Sequence, residues 1–276
     1  MRAANTVLAA AAMATAVSSQ QTTKQYIDPM TGFTFQSFSP GDGYRFGIVM
    51  PQGDTTDLIG QLTGPLNGEG GGWAGIDFGN RMVGPLLIVA WPAGDAANSV
   101  MISPRQAHGK NPDRVTVYTA QPIKLRQIAK GTFANGSHVT ATFVCEGCIN
   151  ADSFDPKTSQ TGQFAWAYSS KTVVTPGSAD TVLSEHQERY GRFGVDLDGA
   201  RSPEYASYAK LAQSATSSGG FPGPTTTTMG GGAGSTSSPA GGGKSGAVSN
   251  GRIGAESVIA LTCAGALYAI QAFLDF

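Results

Sequence analysis

The stretch "HVTATFVC" (138–145) decides the fold. Val139, Ala141 and Phe143 fall on one face of an extended chain, and Thr140 and Thr142 on the other. Successive side chains of a strand point to opposite faces, so this alternation predicts a half-buried β-strand. Working outward, similar short runs recur between Gly, Pro, Asn and Asp turns: "FTFQSF" (33–38), "YRFGIVM" (44–50), "DLIGQL" (57–62), "WAGIDF" (73–78), "LLIVAW" (86–91), "VTVYTA" (115–120), "QFAWAYS" (163–169) and "FGVDL" (193–197). One helix is expected near the end of this region, with Ser202 as N-cap, Pro203 in the first turn, and Tyr205 and Tyr208 on one face. About nine short strands with almost no helix predict an all-β, immunoglobulin-like antiparallel β-sandwich.

Composition agrees. The chain has 276 residues, 38 of them Gly and 15 Pro, and only 13% are charged, which suits a turn-rich β domain. The net charge of −1 offers no basic surface for nucleic acid or anionic lipid. Residues 1–19 read as a secretory signal peptide: Arg2 precedes an alanine-rich apolar run, and "AVS" (16–18) offers a small-x-small cleavage site. Residues 20–213 are the expected folded domain. Residues 214–250 are Ser, Thr, Gly and Pro with almost nothing apolar, and read as a flexible stalk. Residues 251–276 carry an apolar tail, Val258 to Leu274, after a polar spacer. That is the layout of a GPI-attachment signal, removed on processing, with Ser245, Ser249 or Asn250 as attachment points. A retained membrane span is the alternative, but only Asp275 and Phe276 follow the tail, with no basic stop. Of the three cysteines, Cys263 lies in that tail, leaving the even pair Cys145 and Cys148 that an oxidising compartment favours. Asn135-Gly136-Ser137 is a glycosylation sequon.

The short motifs mostly dissolve on inspection. "GGGWAG" (70–75) matches G-x-G-x-x-G but runs into a strand, whereas a dinucleotide site needs a helix there. "GGGKS" (241–245) lacks the first P-loop glycine. "CEGC" (145–148) has no following His for a c-type haem, no further zinc ligands nearby and no strand–helix setting for a thioredoxin centre, which leaves a small structural disulfide. Neither G-x-S-x-G nor H-E-x-x-H occurs, and acids such as Asp77, Glu185 and Glu188 are scattered. His186, one of three histidines, sits in "VLSEHQERYGRFGVDL" (182–197), and Met82 sits in a turn between two apolar strands; spacing alone does not join them.

Five blocks in order, "DPMTGFTF", "GWAGIDFGNRMVGPLLIVAW", "FVCEGC", "FAWAYS" and "SEHQERYGRFGVDL", resemble the haem-binding cytochrome domain of fungal cellobiose dehydrogenases, within the wider DOMON group of β-sandwiches. The resemblance covers about residues 24–210. It implies haem b, with Met82 and His186 as axial iron ligands on opposite faces, a Cys145–Cys148 disulfide, and a sandwich holding the haem at one end. Lys110, in "AHGK" (107–110), corresponds to a family tyrosine that contacts a haem propionate, and a cation there would pair with it. Asn80 and Arg81 stand where the family has small residues before the methionine.

The resemblance implies an electron carrier rather than a catalyst. With both axial positions filled, the iron has no open site for oxygen, and a Met/His pair raises its potential. The expected protein is a secreted, surface-anchored b-type cytochrome, attached to the membrane by a lipid only and binding no nucleic acid. Its acceptor would be a lytic polysaccharide monooxygenase or ferric iron, with any ferric reductase activity secondary. Its donor would be a separate extracellular dehydrogenase or a small reductant. The rival reading is a carbohydrate-binding DOMON-like module, in which Trp73, Trp91 and Trp166 stack on a glycan.

Overall fold

The computed structural model describes residues 22–94, 98–108, 115–186 and 189–214. The expected signal peptide, Lys110, the stalk beyond Ser214 and the attachment signal lie outside the described residues. Along the chain run β1 (Lys24–Ile27), β2 (Thr34–Gly41), β3 (Tyr44–Val49), β4 (Leu58–Pro65), β5 (Trp73–Asp77), β6 (Leu86–Pro92), β7 (Val100–Ala107), β8 (Val115–Val117), β9 (Lys124–Gln127), β10 (Phe133–Ala134), β11 (His138–Glu146), β12 (Thr161–Ser169), β13 (Arg189–Asp196) and α1 (Tyr205–Ser214). All nine expected strands form. The additional ones are β1, β7, β9 and β10.

The strands build two antiparallel sheets. One has the order β1-β2-β3-β4-β11-β10, with β9 also paired to β11; the other has the order β13-β12-β5-β6-β7-β8. The expected β-sandwich is therefore the observed fold. Between the sheets lies an aromatic core that includes Phe38, Tyr44, Phe46, Phe78, Phe164, Trp166 and Phe193. Each such ring contributes about 1.5–3 kcal/mol on burial. Phe38 stacks on Phe193 at 4.1 Å, and Tyr44 lies 4.8 Å from Trp166. The Tyr44 hydroxyl crosses from one sheet to the other and donates to the Gly75 carbonyl at 3.0 Å.

The decisive strand differs from expectation in one respect: β11 is buried on both faces. Val139, Ala141, Phe143 and Cys145 point into the inter-sheet core. On the opposite face, the Thr142 hydroxyl donates to the Gly131 carbonyl at 2.7 Å and accepts from Gln61 at 3.1 Å. Val144 packs with Phe33, Phe35 and Ala212, so α1 and the 128–132 turn roof over this face. The helix is seated by Phe33 stacked on Tyr208 at 4.0 Å. It starts as the sequence predicts, with Ser202 Oγ accepting the Glu204 amide at 3.1 Å. Cys145 and Cys148 form the expected disulfide, fully buried at the end of β11, with Cα atoms 5.6 Å apart.

Candidate functional site

The outer face of the six-stranded sheet carries the site. Ala74 and Ile76 of β5 belong to the core, so Trp73, Gly75 and Asp77 alternate onto the outer face. By the same alternation Ala165 and Ala167 of β12 face outward, as do Tyr190 and Arg192 of β13. The floor between Trp73 and Asp77 is therefore made of small side chains.

Part of this face is covered by residues 170–186, which follow β12 without regular secondary structure. Side chains from the sheet hold this strap by its backbone. Trp91 Nε1 donates to the Pro176 carbonyl at 2.8 Å, and Ser103 Oγ to the Ala179 carbonyl at 2.7 Å. Arg105, only 1% exposed, donates to the carbonyls of Ala179 (2.6 Å) and Thr181 (2.9 Å) through Nη2 and to Ser103 Oγ (2.8 Å) through Nε. Burial lowers the pKa of this guanidinium, and the nearby Asp180 opposes that shift. Further along, Trp73 Nε1 donates to Ser184 Oγ at 3.2 Å. Sequence reading missed Arg105, because an arginine beside Pro104 in "VMISPRQA" reads as solvent-facing.

The strap delivers His186. Its ring sits edge-on to Trp73 with centroids 6.4 Å apart, and 5.0 Å from the ring of Tyr190. The residue is half-buried, yet its Nδ1 is buried and has no hydrogen-bond partner among the described residues. A buried ring nitrogen without a partner is costly. Met82 is also half-buried, in the turn between β5 and β6. That turn is tied to β7: the Gly84 amide donates to the Ala107 carbonyl at 3.2 Å, and Gln106 Nε2 donates to the Gly84 carbonyl. The two residues are anchored at opposite ends of β5. His186 packs on its first residue, Trp73, and Met82 follows its last residue, Asp77; those ends lie about 13 Å apart along the strand.

Asp77 went unused at the sequence level, where it read as one scattered acid. It is 5% exposed, and neither carboxylate oxygen makes a hydrogen bond of normal geometry. Burial pushes its pKa up to about 7, against the opposing pull of the Gly79 amide and the cations of Arg81 and Arg192.

Asn135 lies in an exposed turn, where its side-chain oxygen accepts from the amides of Ser137 and His138. The three tryptophans that the rival reading would stack on a glycan are buried: Trp73 is 6%, Trp91 0% and Trp166 7% exposed. Among the described residues no group of three or more His, Cys, Asp or Glu could hold a metal ion. A lone thioether and a lone imidazole suit a metal whose remaining ligands come with it. Haem iron, already held by four porphyrin nitrogens, is such a metal and takes this donor pair.

Comparison with known proteins places these observations. A family described as the cytochrome domain of cellobiose dehydrogenase matches residues 26–207. The chain belongs to that family. Among solved structures, the cytochrome domain of Myriococcum thermophilum cellobiose dehydrogenase is similar, with a TM-score of 0.59 and 26% identity over 69% of this chain and 96% of that one. The cytochrome b domain of pyranose dehydrogenase from Coprinopsis cinerea shares the fold, with a TM-score of 0.59 and 23% identity over 70% of this chain and 96% of that one. A pyrroloquinoline quinone-dependent pyranose dehydrogenase of Coprinopsis cinerea is 28% identical over 214 residues, which are 74% of this chain but 28% of that enzyme. The cytochrome-domain family thus spans the sandwich described here, and this chain spans under a third of that dehydrogenase's length.

Proposed function

We propose that this chain is a b-type cytochrome that holds one haem b between Met82 and His186 and passes single electrons to an extracellular acceptor. The observation that carries this reading is the half-buried imidazole of His186, fixed by Trp73, Tyr190 and the strap, with a buried ring nitrogen left unpartnered. Membership of the cytochrome-domain family supports it. When bound, the haem supplies a one-electron iron couple whose potential a Met/His pair raises. The chain's own residues do the rest. Trp73 and Tyr190 fix the plane of the imidazole, the strap excludes water from one side, and the β7-anchored turn fixes Met82. Elements this firmly hydrogen-bonded move little between oxidation states.

A lytic polysaccharide monooxygenase or ferric iron is the proposed acceptor, and a separate dehydrogenase or small reductant the donor. Lys110, outside the described residues, is retained as the proposed propionate partner. Secretion, with residues 1–19 removed and a GPI anchor added near Ser245, is likewise proposed. The Cys145–Cys148 disulfide supports an oxidising compartment, and among the described residues no helix is long and apolar enough to cross a membrane. The exposed Asn135 is the proposed glycan site.

The test is spectroscopic. Purified from cells supplied with iron and porphyrin, the protein is expected to be red, with a low-spin haem spectrum. Met82→Ala and His186→Ala should each abolish the six-coordinate signature. Wild-type spectra in both variants would remove the ligand assignment, and a colourless wild type would remove the cytochrome reading.

A further inference from the structure

The carboxyl of Asp77 is the most unusual polar group on the candidate face. It is almost completely buried, yet among the described residues neither oxygen has a hydrogen-bond partner of normal geometry. Structural carboxylates in protein interiors are normally paired or multiply hydrogen-bonded, because an isolated ionised one is expensive. Its surroundings can be enumerated. On β6 its register partner is Leu87, and on β12 it is Ala165, neither of them titratable. The β5–β6 turn brings Arg81, and β13 brings Arg192, opposite Ala165. The Gly79 amide acts on the carboxyl in the same sense as the two cations. Two cations favour the carboxylate and burial favours the acid, so neither protonation state is strongly preferred near neutral pH.

Asp77 shares its face and strand with Trp73, the residue against which His186 packs. An added electron near a buried, finely balanced carboxyl favours the uncharged form in low dielectric. We infer that Asp77 is a proton-binding site coupled to the electron: it takes up one proton when the iron of a bound haem is reduced and releases it on reoxidation. The inference rests on the cytochrome reading above. The balance is simple. An external one-electron donor reduces ferric to ferrous iron, and one solvent proton converts the Asp77 carboxylate to the acid, so the net charge of the buried region is unchanged. Reoxidation by the acceptor returns the proton to solvent. The chain then carries the equivalent of a hydrogen atom, the electron on the iron and the proton on Asp77, instead of a bare electron.

The experiment is a spectroelectrochemical titration of the haem-loaded protein from about pH 5 to about pH 9, a range bracketing the group's transition. In the wild type the midpoint potential should fall as pH rises through neutrality. A fully coupled proton gives a tenfold shift in the redox equilibrium, or ~59 mV, per pH unit. Asp77→Asn, which keeps the shape and deletes the proton site, should flatten the profile. It should match the wild type at acid pH and lie above it at alkaline pH. An Asp77→Asn profile that keeps the wild-type slope overturns the inference while leaving the haem assignment intact. A reduced-minus-oxidised infrared spectrum of the wild type needs no variant: a protonated-carboxyl band should appear on reduction near neutral pH, and its absence also overturns the inference. A protein that never shows a Soret band overturns the cytochrome reading and this inference with it, a failure distinguishable at sight from a flat potential in a red protein.

Discussion

At the scale of the residue, Asp77 makes folding itself sensitive to pH. Its folded pKa of about 7 lies above the unfolded value near 4, so the folded chain holds the proton more tightly. The associated stability is fully present below about pH 4 and is lost as pH rises through about 7. The loss amounts to at most about 4 kcal/mol at 1.36 kcal/mol per pKa unit. Urea unfolding of the purified protein at about pH 5 and about pH 8 should show this fall, and Asp77→Asn should remove most of it. An equal fall in the variant would place its origin elsewhere. The sequence could not show this group's role. Alternation puts Asp77 on an outer face, which reads as solvent, and its burial depends on distant segments such as the Arg192 strand. Met82 and His186 were singled out only through resemblance to a family, because their spacing of over a hundred residues carries no signal.

At the scale of the element, the strap depends on Arg105. Its Nη2 serves two backbone carbonyls, those of Ala179 and Thr181, which lie 74 and 76 residues further along the chain. In Arg105→Met the buried Thr181 carbonyl loses its donor, at about 1–3 kcal/mol, while the Ala179 carbonyl keeps only Ser103. The melting temperature should drop by several degrees, at ~2–4 °C per kcal/mol for a domain of this size. Residues 170–186 should become open to protease, and the low-spin haem signature of the His186 side should broaden. Arg105→Lys should rescue little, since one ammonium cannot reproduce the planar fork. Unchanged melting and unchanged spectra in both variants would show that the strap stands without this anchor. The elements that sequence reading found were those with clean apolar runs. It missed β7 because Pro104 and Arg105 interrupt the pattern, and β1, β9 and β10 because four or fewer residues carry too little periodicity. It read β11 as half-buried because the covering helix α1 lies some sixty residues later.

At the scale of the whole molecule, the two sheets are joined by the aromatic core and by polar links, among them Gln127 to the Val100 carbonyl and the buried one from Tyr44 to the Gly75 carbonyl. Tyr44→Phe keeps the packing and removes the link. It should cost about 1 kcal/mol, read as a lower urea midpoint with an unchanged slope. No change in midpoint would mean that water or relaxation replaces the bond. The sandwich class was legible from the count and spacing of strands, whereas the coverings of its two outer faces, α1 on one and the strap on the other, were not, because both are set by contacts between distant segments. That asymmetry has a practical outcome. The helix ends at Ser214 on the seven-stranded side, whereas His186 and Asp77 belong to the six-stranded side. The sandwich thus has a back closed by a helix and a front closed by a strap, and the proposed electron exchange would use the front.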